Sequence, residues 1–170
     1  MKMLFLIGFM GVGKTTIGKQ LALHHKLNFI DIDNKIEEST NKSITSIFKQ
    51  KGEDYYRDLE TEALKIITKK SVISCGGGLP LFNNNLQLIK QNGTSIYLKA
   101  SEEEIFSRLQ KKTKERPLIQ NKSDKQLKIY IKDTLIKREK FYSQADYIID
   151  TSNLTEEQVL RKINTLIINI

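Results

Sequence analysis

Gly8-Phe9-Met10-Gly11-Val12-Gly13-Lys14-Thr15 separates an apolar run, Met3 to Ile7, from a stretch with helical spacing, Lys14 to Lys26. Five consecutive apolar residues ending at a glycine read as a strand buried on both faces, as in a parallel sheet. The octapeptide satisfies G-x-x-x-x-G-K-[ST] in full. Its three glycines let the backbone wrap a polyphosphate with N–H groups pointing inward, and the helix that follows adds positive potential at its N-terminus. Lys14 is placed to reach the β- and γ-phosphates and the Thr15 hydroxyl to ligate Mg²⁺. A glycine-rich turn with a chance lysine would match the letters but not the strand before and the helix after. The stretch points to nucleotide binding in an α/β setting and leaves the reaction open.

Outward from this loop, strands and helices alternate. Further strands are expected at Asn28 to Ile32, Ser71 to Cys75, Thr94 to Leu98 and Asp146 to Ile149, each short and apolar. Helical spacing covers Tyr55 to Lys69, Leu86 to Gln91 and Leu127 to Tyr142, with a broken helix over Ile36 to Gln50. Ser101 to Glu104 and Thr155 to Gln158 read as capping boxes opening two more helices, and Asp124 as an N-cap. The polar segment from Lys111 to Lys125, with Pro117 inside it, reads as a mobile loop. The expected architecture is three layers, α/β/α, around a five-stranded parallel sheet, whose ligands sit at the carboxyl ends of the strands. At 170 residues, with no repeat and no Gly/Pro-rich linker, residues 1–170 are expected to form one domain.

Composition narrows the partners. No run of about 18 apolar residues suggests a membrane span, and the apolar N-terminus runs into the glycine loop without a small-x-small cleavage site. A single cysteine, Cys75, fits a reducing cytoplasm and excludes multi-cysteine metal cages. The net charge of +8 comes from lysines scattered along the whole chain, which reads as a solvated surface rather than a nucleic-acid groove. Only five of the 28 basic residues are arginines: Arg57, Arg108, Arg116, Arg138 and Arg161. Their planar fork binds carboxylate and phosphate bidentately, so their placement is the better guide to anion recognition.

Two nucleotide-binding classes fit poorly. Asn121-Lys-Ser-Asp124 spells a guanine-reading motif, but it lies in a polar loop and no D-x-x-G accompanies it. A motor-type ATPase would end an inner strand in an acidic pair, whereas the third strand here ends in Ser74-Cys75-Gly76-Gly77-Gly78. Asp31 and Asp33 close the second strand. Strand periodicity would turn both carboxylates to one face, one toward magnesium-bound water and the other toward a substrate hydroxyl, although Asp-Ile-Asp-Asn also suits a turn. Taken locally, Arg57 and Glu60 could be an i, i+3 surface pair, and Arg138 in Lys-Arg-Glu-Lys a solvated helix face. Arg116-Pro117 could be a lid arginine that reaches the transferring phosphate.

In order along the chain, these features resemble the shikimate kinases. The glycine loop, Asp31-x-Asp33, Gly52-Glu53 with Tyr56-Arg57 and Glu60, Ser74-x-Gly76-Gly77-Gly78, Arg116-Pro117-Leu118 and Arg138 with Tyr142 fall where that family has its own motifs. Tyr56 stands where the family commonly has phenylalanine. Where the family often has an adenine-stacking arginine, seven residues before the lid arginine, this chain has Leu109, with Arg108 one position further back.

The resemblance implies a phosphate-loop kinase with a mobile lid over about residues 111–125, phosphorylating the 3-hydroxyl of shikimate with ATP on the route to chorismate and the aromatic amino acids. It implies that Gly11, Val12, Gly13, Lys14, Thr15, Thr16 and Arg116 bind ATP. Asp33, Arg57, Arg138 and Gly76, Gly77 and Gly78 would bind shikimate, with Glu60 orienting Arg57. Lys14, Asp33 and Arg116 would be catalytic. Thr15 would ligate Mg²⁺ directly, and Asp31 and Ser74 would do so through water. A cytoplasmic monomer without nucleic-acid or membrane partners is expected. A kinase of another polyol acid such as gluconate, or a nucleotide-binding regulator, stays open at this point. A regulator has no need of a second anion pocket, which is what Arg57 and Arg138 with Asp33 would form.

Overall fold

The structure is a computed structural model that describes residues 2–111 and 117–167. Five strands, β1 (Met3–Ile7), β2 (Asn28–Asp31), β3 (Ser71–Ser74), β4 (Gly93–Lys99) and β5 (Tyr147–Asp150), form one sheet in the order β2-β3-β1-β4-β5. Every pairing is parallel, so all carboxyl ends lie along the same edge. The chain leaves β1 for one side of the sheet and later returns to pair β4 on its other side. The carboxyl end of β1 is thus the point where the winding reverses, and open α/β sheets bind ligands at such points.

The helices are α1 (Lys14–His24), α2 (Ile32–Thr40), α3 (Ile44–Lys65), α4 (Asn85–Asn92), α5 (Glu102–Gln110), α6 (Asp124–Tyr142) and α7 (Glu156–Ile167). Alternation along the strands sorts them into two layers. Leu4 and Leu6 of β1, Val72 of β3 and Ile96 and Leu98 of β4 pack with α1, α5 and α7 and with Leu127 and Ile131 of α6. Met3, Phe5, Ile7, Ile73 and Tyr97 point the other way, onto α2, α3 and α4. The expected three-layer parallel sheet is therefore the observed one. Helix α6 crosses between the layers: its first turns pack in one core, while Tyr142 at its end is buried in the other. This crossing carries Arg138 past the sheet's carboxyl edge.

Several local expectations need correction. Strand β2 stops at Asp31, so Asp33 lies in the first turn of α2 and not on the strand. Asp31 is the N-cap, its Oδ1 accepting from the Asp33 N–H at 3.1 Å. Helix α6 is capped by Ser123, whose side chain and backbone exchange bonds with Gln126 in a full capping box; Asp124 is the first helical residue. Ser101 caps α5, but Glu104 does not close the box, because its carboxylate accepts from Asn153 N–H and faces Arg108. Thr155 and Gln158 do form a box. The break expected ahead of Tyr55 is found at Gly52, whose φ of 84° and ψ of 178° interrupt α3. That conformation is open to glycine and strained for other residues. It re-aims the second half of α3, which carries Arg57 and Glu60.

Candidate active site

A cleft of about 780 Å³ opens at the carboxyl edge, lined by the loop after β1, the end of β2, the turn after β3, the second half of α3 and Arg138 near the end of α6. Gly11 to Thr16, Asp31, Asp33, Arg57, Glu60, Ser74, Gly76 to Gly78 and Arg138 all line it. Arg116 lies outside the described residues, as do 112–115 of the expected lid. The rest of that segment is not a continuous loop: Pro117–Ile119 form a short 3-10 turn and Asp124 already begins α6, while Lys111 and Leu118 line the cleft.

On one side stands the phosphate loop. Gly13, at φ 99°, is the N-cap of α1, and no side-chain cap covers the helix end. The first N–H groups of α1 therefore face the cleft, as an anion requires. Lys14 is buried, and its Nζ donates to the carbonyls of Gly8 at 2.8 Å and Phe9 at 2.9 Å. These bonds fold the ammonium over the loop.

The Thr15 hydroxyl donates to Asp31 Oδ2 at 2.9 Å. The β2–β3 register sets Asp31 opposite Ser74, which brings a carboxylate and two hydroxyls together beside the loop. An all-oxygen donor set of this kind suits Mg²⁺. Among the described residues, no group of three His, Cys, Asp or Glu could hold an ion by itself. That fits an ion carried largely by substrate phosphates and water.

On the other side are two buried arginines, and here the local reading of the sequence fails. Arg57 is 4% exposed and Glu60 0%, so theirs is no surface pair; Arg138 is 8% exposed and faces no solvent. Arg57 Nη1 donates to Glu60 Oε2 at 2.6 Å, while Nε and Nη2 donate to Glu53 Oε1 at 3.1 and 2.5 Å. A guanidinium has five N–H donors, so two remain for a ligand. The rings of Phe82, 4.7 Å away, and Tyr56, 5.3 Å away, lie against it. Burial works against its charge, but Glu60 and Glu53 outweigh it and raise the pKa above the ordinary value. Arg138 sits over the Phe9 ring at 5.5 Å and donates to the Tyr142 hydroxyl, which in turn donates to the Gly77 carbonyl at 2.5 Å.

The three glycines after Cys75 form the floor between the arginines. A Cβ on Gly78 would stand 2.6 Å from the Arg57 guanidinium, on Gly77 2.8 Å from Arg138 Nη1, and on Gly76 3.0 Å from Asp33 Oδ1 and closer still to Glu60 Oε1. The need here is steric: any side chain would displace these charged groups. Cys75 is wholly buried, and burial pushes its thiol up and away from reactivity.

Glu60 has an unusual environment. Its Oε1 is buried with no hydrogen-bond partner. Burial drives its carboxyl from the ordinary 4.5 up to about 7, against the pull of Arg57, with Asp33 adding to the rise and Arg138 opposing it. Folding thus favours the protonated acid. Its contribution to stability is full below pH 4.5, declines as pH rises and is gone above about 7. Glu60→Gln keeps the shape and cannot ionise, so its urea midpoint should fall less than the wild type's between pH 4.5 and 7.5. Equal pH slopes in the two proteins would contradict this account.

Some site residues have no signature in the sequence. Glu53 was quoted in a motif without a role; its i, i+4 spacing to Arg57 is the signal that could have found it. Phe48, Phe82, Ser107, Thr151 and Leu154 are brought to the site or its partners only by the fold.

A helix N-terminus that cradles polyphosphate, facing buried arginines that await a second anion, defines a phosphotransferase of the phosphate-loop class acting on a small anionic acceptor. The family model described as shikimate kinase matches residues 10–167, and the chain belongs to that family. The shikimate kinase of Thermodesulfovibrio yellowstonii is 44% identical over 165 residues, covering 96% of this chain and 93% of that protein. The crystal structure of the Bacteroides thetaiotaomicron shikimate kinase superposes with a TM-score of 0.91 at 34% identity, covering 98% of each chain. That of the Acinetobacter baumannii enzyme, in complex with shikimate, gives 0.92 at 32% identity, over 99% of this chain and 94% of that one.

Proposed function

We propose that this cleft carries out ATP-dependent phosphorylation of the shikimate 3-hydroxyl by dividing the work between its two walls. The observation that carries the reading is the pair of buried arginines, from α3 and α6, flanking the triple-glycine turn in the cleft that also holds the phosphate loop. Arg57 and Arg138 grip the shikimate carboxylate, with Glu60 and Glu53 orienting Arg57. The glycines allow the ring to lie against backbone. Asp33 accepts from the substrate hydroxyls and takes the proton of the attacking one. The N–H groups of Gly11 to Thr16 hold the ATP phosphates, and Lys14 shifts from the loop carbonyls onto the β- and γ-oxygens. Thr15 would hold Mg²⁺ directly, with Asp31 and Ser74 acting through water. The ion supplies positive charge to the phosphate oxygens. Arg116 neutralises charge on the transferring phosphoryl group. Positioning and positive charge are most of what phosphoryl transfer asks of a protein.

The shikimate complex of the Acinetobacter baumannii relative supports the choice of acceptor. A cytoplasmic monomer belongs to the same proposal; no helix among the described residues is long and apolar enough to cross a membrane. Arg138→Lys tests the clamp. Lysine keeps the charge and loses the fork, so shikimate affinity should fall about ten- to a hundredfold, while ATP affinity stays near wild type. Separate titration of the two ligands decides it, and undiminished shikimate binding would remove Arg138 from the clamp.

A further inference from the structure

We propose that Tyr56 is a positioning residue for Asp33, its hydroxyl fixing the carboxylate in the orientation that meets the acceptor hydroxyl. The inference rests on Asp33 being the proton acceptor. The Tyr56 hydroxyl donates to Asp33 Oδ1 at 2.7 Å. Tyr56 is buried on α3, its ring set 4.8 Å from that of Phe48 and with the Arg57 guanidinium against it, so the ring has no room to turn. Burial, then the negative charges of Asp33 and Glu60, push the hydroxyl far above its ordinary range and keep it a donor.

The same Oδ1 lies beside Gly76, where an added Cβ would stand 3.0 Å from it and disturb its placement. The backbone of Asp33 is fixed independently, through its N–H bond to Asp31 Oδ1. Asp33 is therefore held at both ends: the main chain by the helix cap, the carboxylate by Tyr56. A carboxylate at the start of a helix otherwise turns about Cα–Cβ and Cβ–Cγ, and small losses of alignment in a reacting pair cost rate more than binding.

The test is a double-mutant cycle on the single-turnover rate at saturating ATP–Mg²⁺ and shikimate. Tyr56→Phe keeps the ring and removes only the hydroxyl. The rate should fall roughly tenfold, with both Michaelis constants within about twofold of wild type. In the Asp33→Asn background the same change should have little further effect, because Tyr56 acts through that carboxylate. Tyr97→Phe is the control: it breaks another tyrosine–carboxylate bond, a half-buried one to Glu139 at 2.9 Å, and should leave the rate unchanged. A wild-type rate in Tyr56→Phe, or an equal loss with and without Asp33, overturns the inference. If Asp33→Asn alone turns over normally, the assignment of Asp33 fails first and the role of Tyr56 with it. A loss confined to the Michaelis constant for shikimate would make Tyr56 a binding residue instead.

Discussion

Asp33→Asn is expected to lower turnover by about 10²–10⁴, the range over which a positioned general base contributes. Asparagine keeps the size of the side chain and an oxygen for the Tyr56 hydroxyl, and the backbone bond to Asp31 is unaffected. It loses the ability to take a proton. Binding should therefore survive, because the proposed carboxylate clamp, Arg57 and Arg138, and the proposed ATP loop on the opposite wall are left intact. Steady-state turnover alongside titration of each ligand separates the two effects. A turnover within a few-fold of wild type would mean that the proton leaves by another route, such as direct transfer to a phosphate oxygen.

The second large effect is expected at Arg116. Lys111 and Leu118 line the cleft, and Ile119 is fully buried. Arginines that act on transferring phosphate contribute about 10³–10⁵ in turnover, and Arg116→Ala should lose turnover on that scale with modest changes in both Michaelis constants. ATP with shikimate should also protect residues 111–118 from proteolysis. Normal turnover without protection would mean that this segment is no catalytic lid.

What the sequence revealed and what it hid follow from the range of the interactions. The phosphate loop was fully legible because its requirements are local: a strand, glycines at fixed spacing, a lysine and a helix. The buried strands were legible because both faces are apolar. Arg57 and Arg138 look like surface residues from their neighbours alone, since Glu60 at i+3 suits a surface ion pair and Lys137, Glu139 and Lys140 read as a solvated helix face. Their burial comes from the bend at Gly52 and from the crossing of α6 over the sheet edge, both products of the whole fold. Asp-Ile-Asp satisfies strand alternation and a helix cap equally. The structure chose the cap because Asp31 can close α2 and still face Thr15. At Ser101 the reciprocal box gave way to tertiary partners, Asn153 and Arg108, that no i, i+3 rule contains.

The most direct test of the account is ADP release by the intact chain with ATP–Mg²⁺ and a panel of hydroxy acids that includes shikimate and gluconate, each followed by identification of the phosphorylated product. The clamp of two arginines, one carboxylate acceptor and a side-chain-free floor predicts release that depends strongly on shikimate and yields shikimate 3-phosphate. Equal release with gluconate, or with water alone, would contradict it.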